Sequence, residues 1–303
     1  MSFFFTLTNV LLLFLFWKAC RSNAHAFYFN PYLSVPDRLL DKVLDYAQPI
    51  LPGLPKRYVA ILVFLFLLAF RNLLFPGLDT MPLADIGGGL AFPSLFGRIP
   101  RLYSAMLTGT ICFLQFLLSV WGAFLLIKLL AERASETRIY QAYEDLVFPF
   151  SKLKPWPMFA VLVLLHALLA LILSIFMPRI CYGLAGSPES QMFALARESI
   201  GQQLLSSIWL GAMATITTTI LFIQKLLIFF IFVSIFSLIL AKRDLAVFCQ
   251  EAINLILGRF ANRPLLLGSF DFTPILFYMG LTFAYHFLTW GLLLLRPLFT
   301  THL

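Results

Sequence analysis

Six apolar runs, each long enough to cross a bilayer as a helix, constrain this chain before any other feature does. They lie at 3–19, 57–76, 106–128, 157–177, 219–241 and 273–295. A hydrocarbon core about 30 Å thick is spanned by roughly 20 helical residues. Inside it every backbone N–H and C=O must be satisfied within the segment, which a helix achieves and an open sheet edge does not. Composition agrees: 61% of residues are apolar and 12% charged, where soluble domains carry about half and a quarter. The sequence therefore predicts an all-α integral membrane protein with about six transmembrane helices.

The net charge of +8 is informative through its distribution. The loop 18–57 holds Lys18, Arg21, Arg38, Lys42, Lys56 and Arg57, and the next loop only Arg98 and Arg101. Loop 128–156 holds Lys128, Arg133, Arg138, Lys152 and Lys154, against Arg179 and Arg197 in the one after. Loop 242–270 holds Lys242, Arg243, Arg259 and Arg263, and the tail Arg296. Basic residues gather on cytoplasmic loops, so the strict alternation places the first, third and fifth loops inside and both ends outside. The localisation expected is a bacterial-type inner (plasma) membrane, crossed several times. The charge needs no nucleic-acid partner to explain it.

The first run, SFFFTLTNVLLLFLFWK, also has features of a secretory signal, because "AHA" at 24–26 resembles a cleavage site. The absence of Lys or Arg ahead of it favours a retained span. Cys20, Cys112, Cys181 and Cys249 have no CxxC spacing, and Cys112 lies inside an apolar run, so neither a metal site nor a disulfide framework is indicated.

The chain repeats itself at a shift of one hundred residues. "DRLLDKVLDYAQPILPGLPKRYVAILVFLFLL" (37–68) overlies "TRIYQAYEDLVFPFSKLKPWPMFAVLVLLHAL" (137–168), with Arg38/Arg138, Asp45/Asp145, Pro49/Pro149 and Pro55/Pro155 coinciding. A more divergent third copy runs from "DLAVFCQEAINLILGRFANRP" (244–264) into the last span. Each unit reads as span, amphipathic cytoplasmic helix, span. The units are a first repeat at 1–76, an outer loop at 77–102, a degenerate middle repeat at 103–177, and an outer loop with the last repeat at 178–303. An even number of spans per unit gives all three the same orientation, unlike the inverted repeats common in transporters.

The connecting helices carry the expected pattern. In the first, Leu39, Leu40, Val43, Leu44 and Ala47 share one side and Asp37, Arg38, Asp41, Lys42 and Asp45 the other. Ser34 with Pro36 and Asp37 reads as its start signal. In the second, Ile139, Tyr140, Tyr143, Leu146 and Val147 oppose Arg138, Gln141, Glu144 and Asp145. Such helices are expected along the inner membrane surface, either touching lipid or capping the bundle.

"GSFDFTP" (268–274) then begins the last span. Gly268 turns the chain, Pro274 fits the first helical turn where its missing N–H costs nothing, Thr273 is placed to cap free amides, and Asp271 sits by the positive end of the helix dipole beside Phe272. The stretch "NLILGRFANRPLLLGSFDFTPIL" (254–276) resembles the signature of the YggT (YlmG) family of membrane proteins. In that family a segment of the type Asp-Pro-Leu-Leu-Arg-Pro leads to Gly-(Ile)-Asp-Phe-Ser-Pro and a transmembrane helix. A weaker resemblance covers 30–55. The chain departs from the pattern where Asn254 and Leu255 replace Asp-Pro, where Gly258 replaces an arginine, and where the first unit lacks Asp-Phe-Ser-Pro. The resemblance implies roles in osmotic-stress tolerance, in organisation of the envelope or division, or in assembly of membrane complexes, including haem attachment in chloroplasts.

Polar groups inside spans are costly. Gln115 and His166 fall at mid-depth in the middle unit, where a hydrogen bond between them would satisfy both; His286, with Thr282, Tyr285 and Thr289, falls in the last span. Arg71 and Lys225 sit near outer boundaries, within reach of headgroups. The histidines have no regular spacing that would favour a bis-histidine haem. "GAMATITTTI" (211–220) is small and hydroxyl-rich, suited to close helix packing or to a helix extension outside the membrane. "DIGGGLAF" (85–92) reads as an outer turn. No Walker A, GxSxG or HExxH motif is present, nor paired carboxylates within a span.

No catalytic residue, cofactor or metal ligand is therefore expected. The expectation is a non-enzymatic scaffold or assembly factor that acts through its cytoplasmic helices, with membrane lipids, other membrane proteins and a second copy of itself as partners. The alternative is a transporter or channel with a sparse path past Gln115, His166 and His286.

Overall fold

The computed structural model describes residues 2–20, 30–74, 90–91, 101–130, 137–148, 150–176, 180–182, 191–193, 200–267 and 270–295. Its helices are α1 (Ser2–Cys20), α2 (Pro31–Ala47), α3 (Lys56–Leu74), α4 (Arg101–Leu130), α5 (Arg138–Val147), α6 (Pro155–Phe176), α7 (Ile200–Ile239), α8 (Arg243–Leu257) and α9 (Thr273–Leu294). One order recurs three times: long helix, shorter helix, 3-10 turn, long helix. The turns are Gln48–Ile50, Phe150–Lys152 and Gly258–Asn262. Among the described residues four helices hold stretches long and apolar enough to cross a membrane, Gly109–Leu130, Pro155–Ile172, Leu204–Ile239 and Thr273–Leu294, and the apolar stretch Leu7–Ala19 is shorter.

The strands are short. Leu90–Ala91 (β1), Ile180–Tyr182 (β2) and Gln191–Phe193 (β3) form an antiparallel sheet with Leu90 opposite Tyr182 and Cys181 opposite Met192. The segment expected to be only a glycine-rich turn thus ends in a strand, because Leu90 and Ala91 find backbone partners far along the chain. Leu266–Leu267 (β4) and Phe270–Asp271 (β5) form a hairpin ahead of α9.

The chain divides into two compact units, Met1–Ile86 with Pro93–Leu117, and Gly87–Phe92 with Leu118–Leu303. In the first, Leu15 of α1, Leu40 and Leu44 of α2, and Val59 and Ala60 of α3 form a closed core. The rings of Phe16, Phe64 and Phe113 meet pairwise at 5.1–6.0 Å. Lys18, in the last turn of α1, reaches Asp37 at 2.9 Å and Asp41 at 2.5 Å, while Arg57 donates to the carbonyl of Ala19 at 2.8 Å. Both cations lie where a helix C-terminus favours positive charge. Helix α2 starts earlier than expected: Asn30 caps it by accepting from the amide of Tyr32 at 3.0 Å, and Pro36 lies inside it. The Asn-Pro pair supplies both a cap and a preset first residue, which outweighs the later Ser34–Asp37 signal.

In the second unit α7 is the organising element. The sequence places a span at 219–241, yet the helix begins at Ile200 and its apolar stretch at Leu204. Those 36 residues would extend about 54 Å, well beyond a core of about 30 Å. The reason is visible in its burial. Trp209, Leu210, Met213, Ala214, Ile223 and Leu227 are enclosed by protein, whereas Phe229, Phe232, Ile235, Phe236 and Leu238 are exposed.

Three contacts set the level at which its neighbours end. Gly211 abuts Val163 and Ala167 of α6, Gly122 of α4 abuts Thr219, and Gly258, just past α8, abuts Leu130 at the end of α4. Counted along the helices, α4 and α6 end near residues 222–227 of α7, so α7 runs on for about 20 Å. Helix α8 folds back along that projection, with Phe230 and Phe248 ring to ring at 6.0 Å.

The connecting helices therefore lie against the flanks of the long helices that precede them, rather than across their ends. Tyr143 of α5 reaches Val120, well inside α4, and Trp121 stacks on Phe150 at 3.9 Å.

Candidate functional site

The α6–α7 seam is built from small residues. A Cβ at Gly211 would collide with the carbonyl of Val163 and the amide of Ala167, so the two backbones touch directly, as the small-residue stretch at 211–220 suggested. In hydrocarbon such close packing, rather than release of water, holds helices together. His166 is fully buried in this seam. Its Nδ1 lies 3.0 Å from the carbonyl of Leu162 and 3.0 Å from Oγ1 of Thr215. Thr215 donates its own proton to the carbonyl of Gly211 at 2.8 Å, which leaves its oxygen to accept. The imidazole is thus protonated at Nδ1, and Nε2 carries a lone pair without a donor among the described residues.

His166 and Gln115, expected to pair, belong to different units, and within its own unit the imidazole has another side-chain partner. Thr215 takes that role, and the sequence signal for it was its place in the hydroxyl-rich stretch. Gln115 is buried in the first unit. His286 lies on an exposed side of α9, edge-on to Tyr285 at 5.1 Å. One histidine buried and the other facing outward do not form a pair of ligands. No group of three His, Cys, Asp or Glu residues gathers as a metal site among the described residues. Other buried polar groups on α7 are met in part: Thr217 donates to the carbonyl of Met213 at 2.7 Å and Nε2 of Gln224 donates to Thr282 of α9 at 2.9 Å, whereas the hydroxyls of Ser207 and Thr219 have no hydrogen-bond partner among the described residues.

The start of α9 is held differently from the sequence reading. Gly268 lies outside the described residues. Phe272 is the cap position and donates its amide to the carbonyl of Leu265 at 3.0 Å. Asp271 accepts from the amide of Thr273 at 2.9 Å, so the carboxylate is the cap. Thr273, buried, instead accepts from the amide of Leu265 at 2.8 Å and ties the hairpin to the helix. Asp271 stays by the positive end of the helix, as expected, and also takes the capping bond expected of Thr273, because Thr273 is already the first helical residue. Pro274 occupies the first turn as expected.

Gly258, where the resembled pattern has an arginine, has φ +54 and sits against the carbonyl of Leu130. A Cβ there would stand 2.6 Å from that oxygen. Both the left-handed backbone and the close approach exclude a larger residue.

The faces of the connecting helices show what they offer to partners. On α2, Leu33, Leu40 and Leu44 are buried, but Val35, Leu39, Val43 and Tyr46 form a second apolar stripe that is exposed. The expected single stripe therefore divides: Leu40 and Leu44 pack on α1 and α3, and Leu39 and Val43 face outward. On α5, Tyr140, Ala142 and Val147 are buried and Thr137 caps the helix through the amide of Tyr140. Burial, reinforced by nearby Glu144, raises the Tyr140 phenol above its ordinary range. Burial raises Tyr143 as well, where its hydroxyl donates to the carbonyl of Val120 at 2.7 Å. Comparison of the chain with protein-family models, with curated proteins and with solved structures gives no match in any of the three.

Proposed function

We propose that this is a non-enzymatic membrane scaffold or assembly factor that works through the three connecting helices on the inner side of a bacterial-type plasma membrane. Its six spans form three like-oriented units, and the YggT-like stretch at 254–276 is read as membership of that family. The observation that carries the reading is the exposed apolar stripe of α2, Val35, Leu39, Val43 and Tyr46, beside the exposed cations Arg38 and Lys42. An apolar face flanked by basic residues suits an anionic inner leaflet or a partner helix resting on it. The thrice-repeated order of elements supports the like-oriented units, and the absence of a ligand cluster among the described residues is compatible with a binding role.

Crosslinking of the full chain in its native membrane, followed by identification of what is captured, tests the reading. The expected result is capture of a defined set of membrane proteins that is lost when Leu39 and Val43 are made polar. Flux across proteoliposomes that disappears in His166→Ala and Gln115→Ala would replace the scaffold with a transporter. Labelling that places Lys42 and Lys152 on opposite sides of the bilayer would end the like-oriented arrangement.

A further inference from the structure

An apolar crevice of about 320 Å³ opens in the second unit among α4, α6, α7 and α9. Its wall includes Leu125 and Leu129 of α4, Trp156 and Phe159 of α6, Ile216 of α7 and Leu288 of α9. The volume falls in the range of small-molecule sites. The wall is almost entirely carbon, so water gains no hydrogen bonds there. All four helices that line it are among those apolar enough to cross a membrane, so its open side faces hydrocarbon.

One end of the crevice is chemically distinct. Trp156 is 81% exposed in the first turn of α6, an amphipathic ring of the kind that settles at the headgroup level. Lys154 precedes it by two residues, and Lys152 lies over the ring of Phe148 at 4.9 Å. Both lysines are exposed, and among the described residues neither has a carboxylate partner. Lys128, by contrast, is committed to the carbonyls of Ser151 and Leu153. Two unpaired cations at the mouth of a carbon-lined slot call for a ligand with an anionic head and a hydrocarbon tail.

We propose that the crevice holds one acyl chain of an anionic phospholipid, with the lipid phosphate at Lys152 and Lys154 and the glycerol level marked by Trp156. The site deepens the membrane reading by naming a resident lipid, and it rests on the placement of these four helices in the bilayer, not on the scaffold role. A lysine near a membrane surface is worth about fivefold in affinity for anionic lipid. Neutralising both should therefore abolish most of the preference for anionic over neutral lipid while leaving the chain site intact. Filling the slot should remove the lipid whatever its head.

The full protein, purified in mild detergent and given phosphatidylglycerol or phosphatidylcholine with brominated acyl chains, provides the test. Trp156 emission, isolated by difference from Trp156→Phe, is expected to be quenched by brominated phosphatidylglycerol at concentrations at least about fivefold lower than by brominated phosphatidylcholine. Lys152→Gln with Lys154→Gln should bring the two lipids together. Ile216→Trp, read by native mass spectrometry, should lose the lipid that the parent protein retains. Equal quenching by the two lipids in the parent protein would overturn the proposal, as would undiminished lipid retention by Ile216→Trp. If Ile216→Trp fails to fold by circular dichroism, Leu288→Phe fills the slot from α9 and is judged by the same retention. Failure here leaves the crosslinking result untouched, so the two readings fall separately.

Discussion

Lys128 donates to the carbonyl of Ser151 at 2.7 Å and to that of Leu153 at 2.9 Å, clamping the last turn of α4 to the 3-10 turn that leads into α6. Lys18 occupies the same place in α1, but its partners are Asp37 and Asp41 of α2. In both units a cation at a helix C-terminus fastens the segment that follows. A charged donor is worth about 1.5–3 kcal/mol per hydrogen bond when buried, and leaving the acceptors bare adds a desolvation cost. Lys128→Met keeps the stem and removes the donor. It should lower stability by about 2 kcal/mol, read as a reduced thermal midpoint in detergent. An unchanged midpoint would show that water or lipid replaces the ammonium freely.

The α6–α7 seam predicts a comparable penalty for a smaller change. A methyl at Gly211 meets backbone atoms of Val163 and Ala167, which have no rotamer to retreat into. Overpacking of this kind costs about 1–3 kcal/mol. Gly211→Ala should therefore destabilise the protein, and Gly211→Leu should separate the helices. Gly280 and Gly291 of α9, where a Cβ meets nothing within 4 Å, should accept alanine with little effect. The check is the midpoint of thermal unfolding across the four variants, and equal tolerance at 211 and 280 would refute the direct backbone contact.

Alkaline pH should loosen α5. The Tyr143 phenol is raised by burial, and Tyr140 by burial and then by Glu144, so the folded state favours the neutral form of both. For groups raised in this way, the stabilisation is fully present below the ordinary phenol range, about pH 10, and is lost as pH climbs from there toward the folded values. Thermal midpoints of the parent protein should be flat in this contribution below about pH 10 and fall above it. Tyr143→Phe gives up the bond to Val120, worth about 1 kcal/mol, at every pH but should fall less steeply in alkali. Parallel curves would remove Tyr143 as the cause.

At the start of α9 two neighbouring bonds can be separated residue by residue. Asp271 holds the amide of Thr273, and Thr273 holds the amide of Leu265. Loss of a cap costs about 1 kcal/mol. Asp271→Ala should speed hydrogen exchange at the Thr273 amide, and Thr273→Val should speed it at Leu265. Exchange that accelerates at both amides in both variants would mean that the hairpin and the helix start melt as one.

How far these features could be read from residues follows from which physical rule governs each. Helix existence was legible, since apolar runs and proline punctuation act locally: α3, α6 and α9 begin within two residues of where the apolar runs do. The length of α7 was legible only in part, through the stretch 211–220 read as close packing or a helix extension, because hydropathy locates the membrane-compatible part of a helix and not its end. What extends α7 to Ile200 is packing of residues 206–227 against other helices, a tertiary fact. The capping bond falls to Asp271 rather than Thr273 for a related reason, a shift of one residue in where the helix starts. His166 was legible as a costly buried group, but its partner Thr215 depends on the register of α6 against α7. The closest approach in that register is at Gly211, which the sequence marks only as one member of a small-residue stretch.

The outward stripe of α2 gives a prediction in which two adjacent residues of the same type behave oppositely. Leu40 is 3% exposed and packs with Leu15, Leu44 and Val59, whereas Leu39 is 58% exposed. Leu40→Glu buries a charge among leucines without a partner, which is among the most costly single changes a core can suffer, and the protein should fail to accumulate. Leu39→Glu changes an exposed position and should leave stability in detergent within about 0.5 kcal/mol of the parent, as surface changes do. In the membrane, however, it places a carboxylate where the proposed function needs an apolar contact. A photoreactive group at Val43 should capture lipid or a partner protein in the parent and lose that product in Leu39→Glu. No capture in the parent would show that the exposed stripe faces water, and undiminished capture in Leu39→Glu would show that the contact does not depend on the stripe's apolar character.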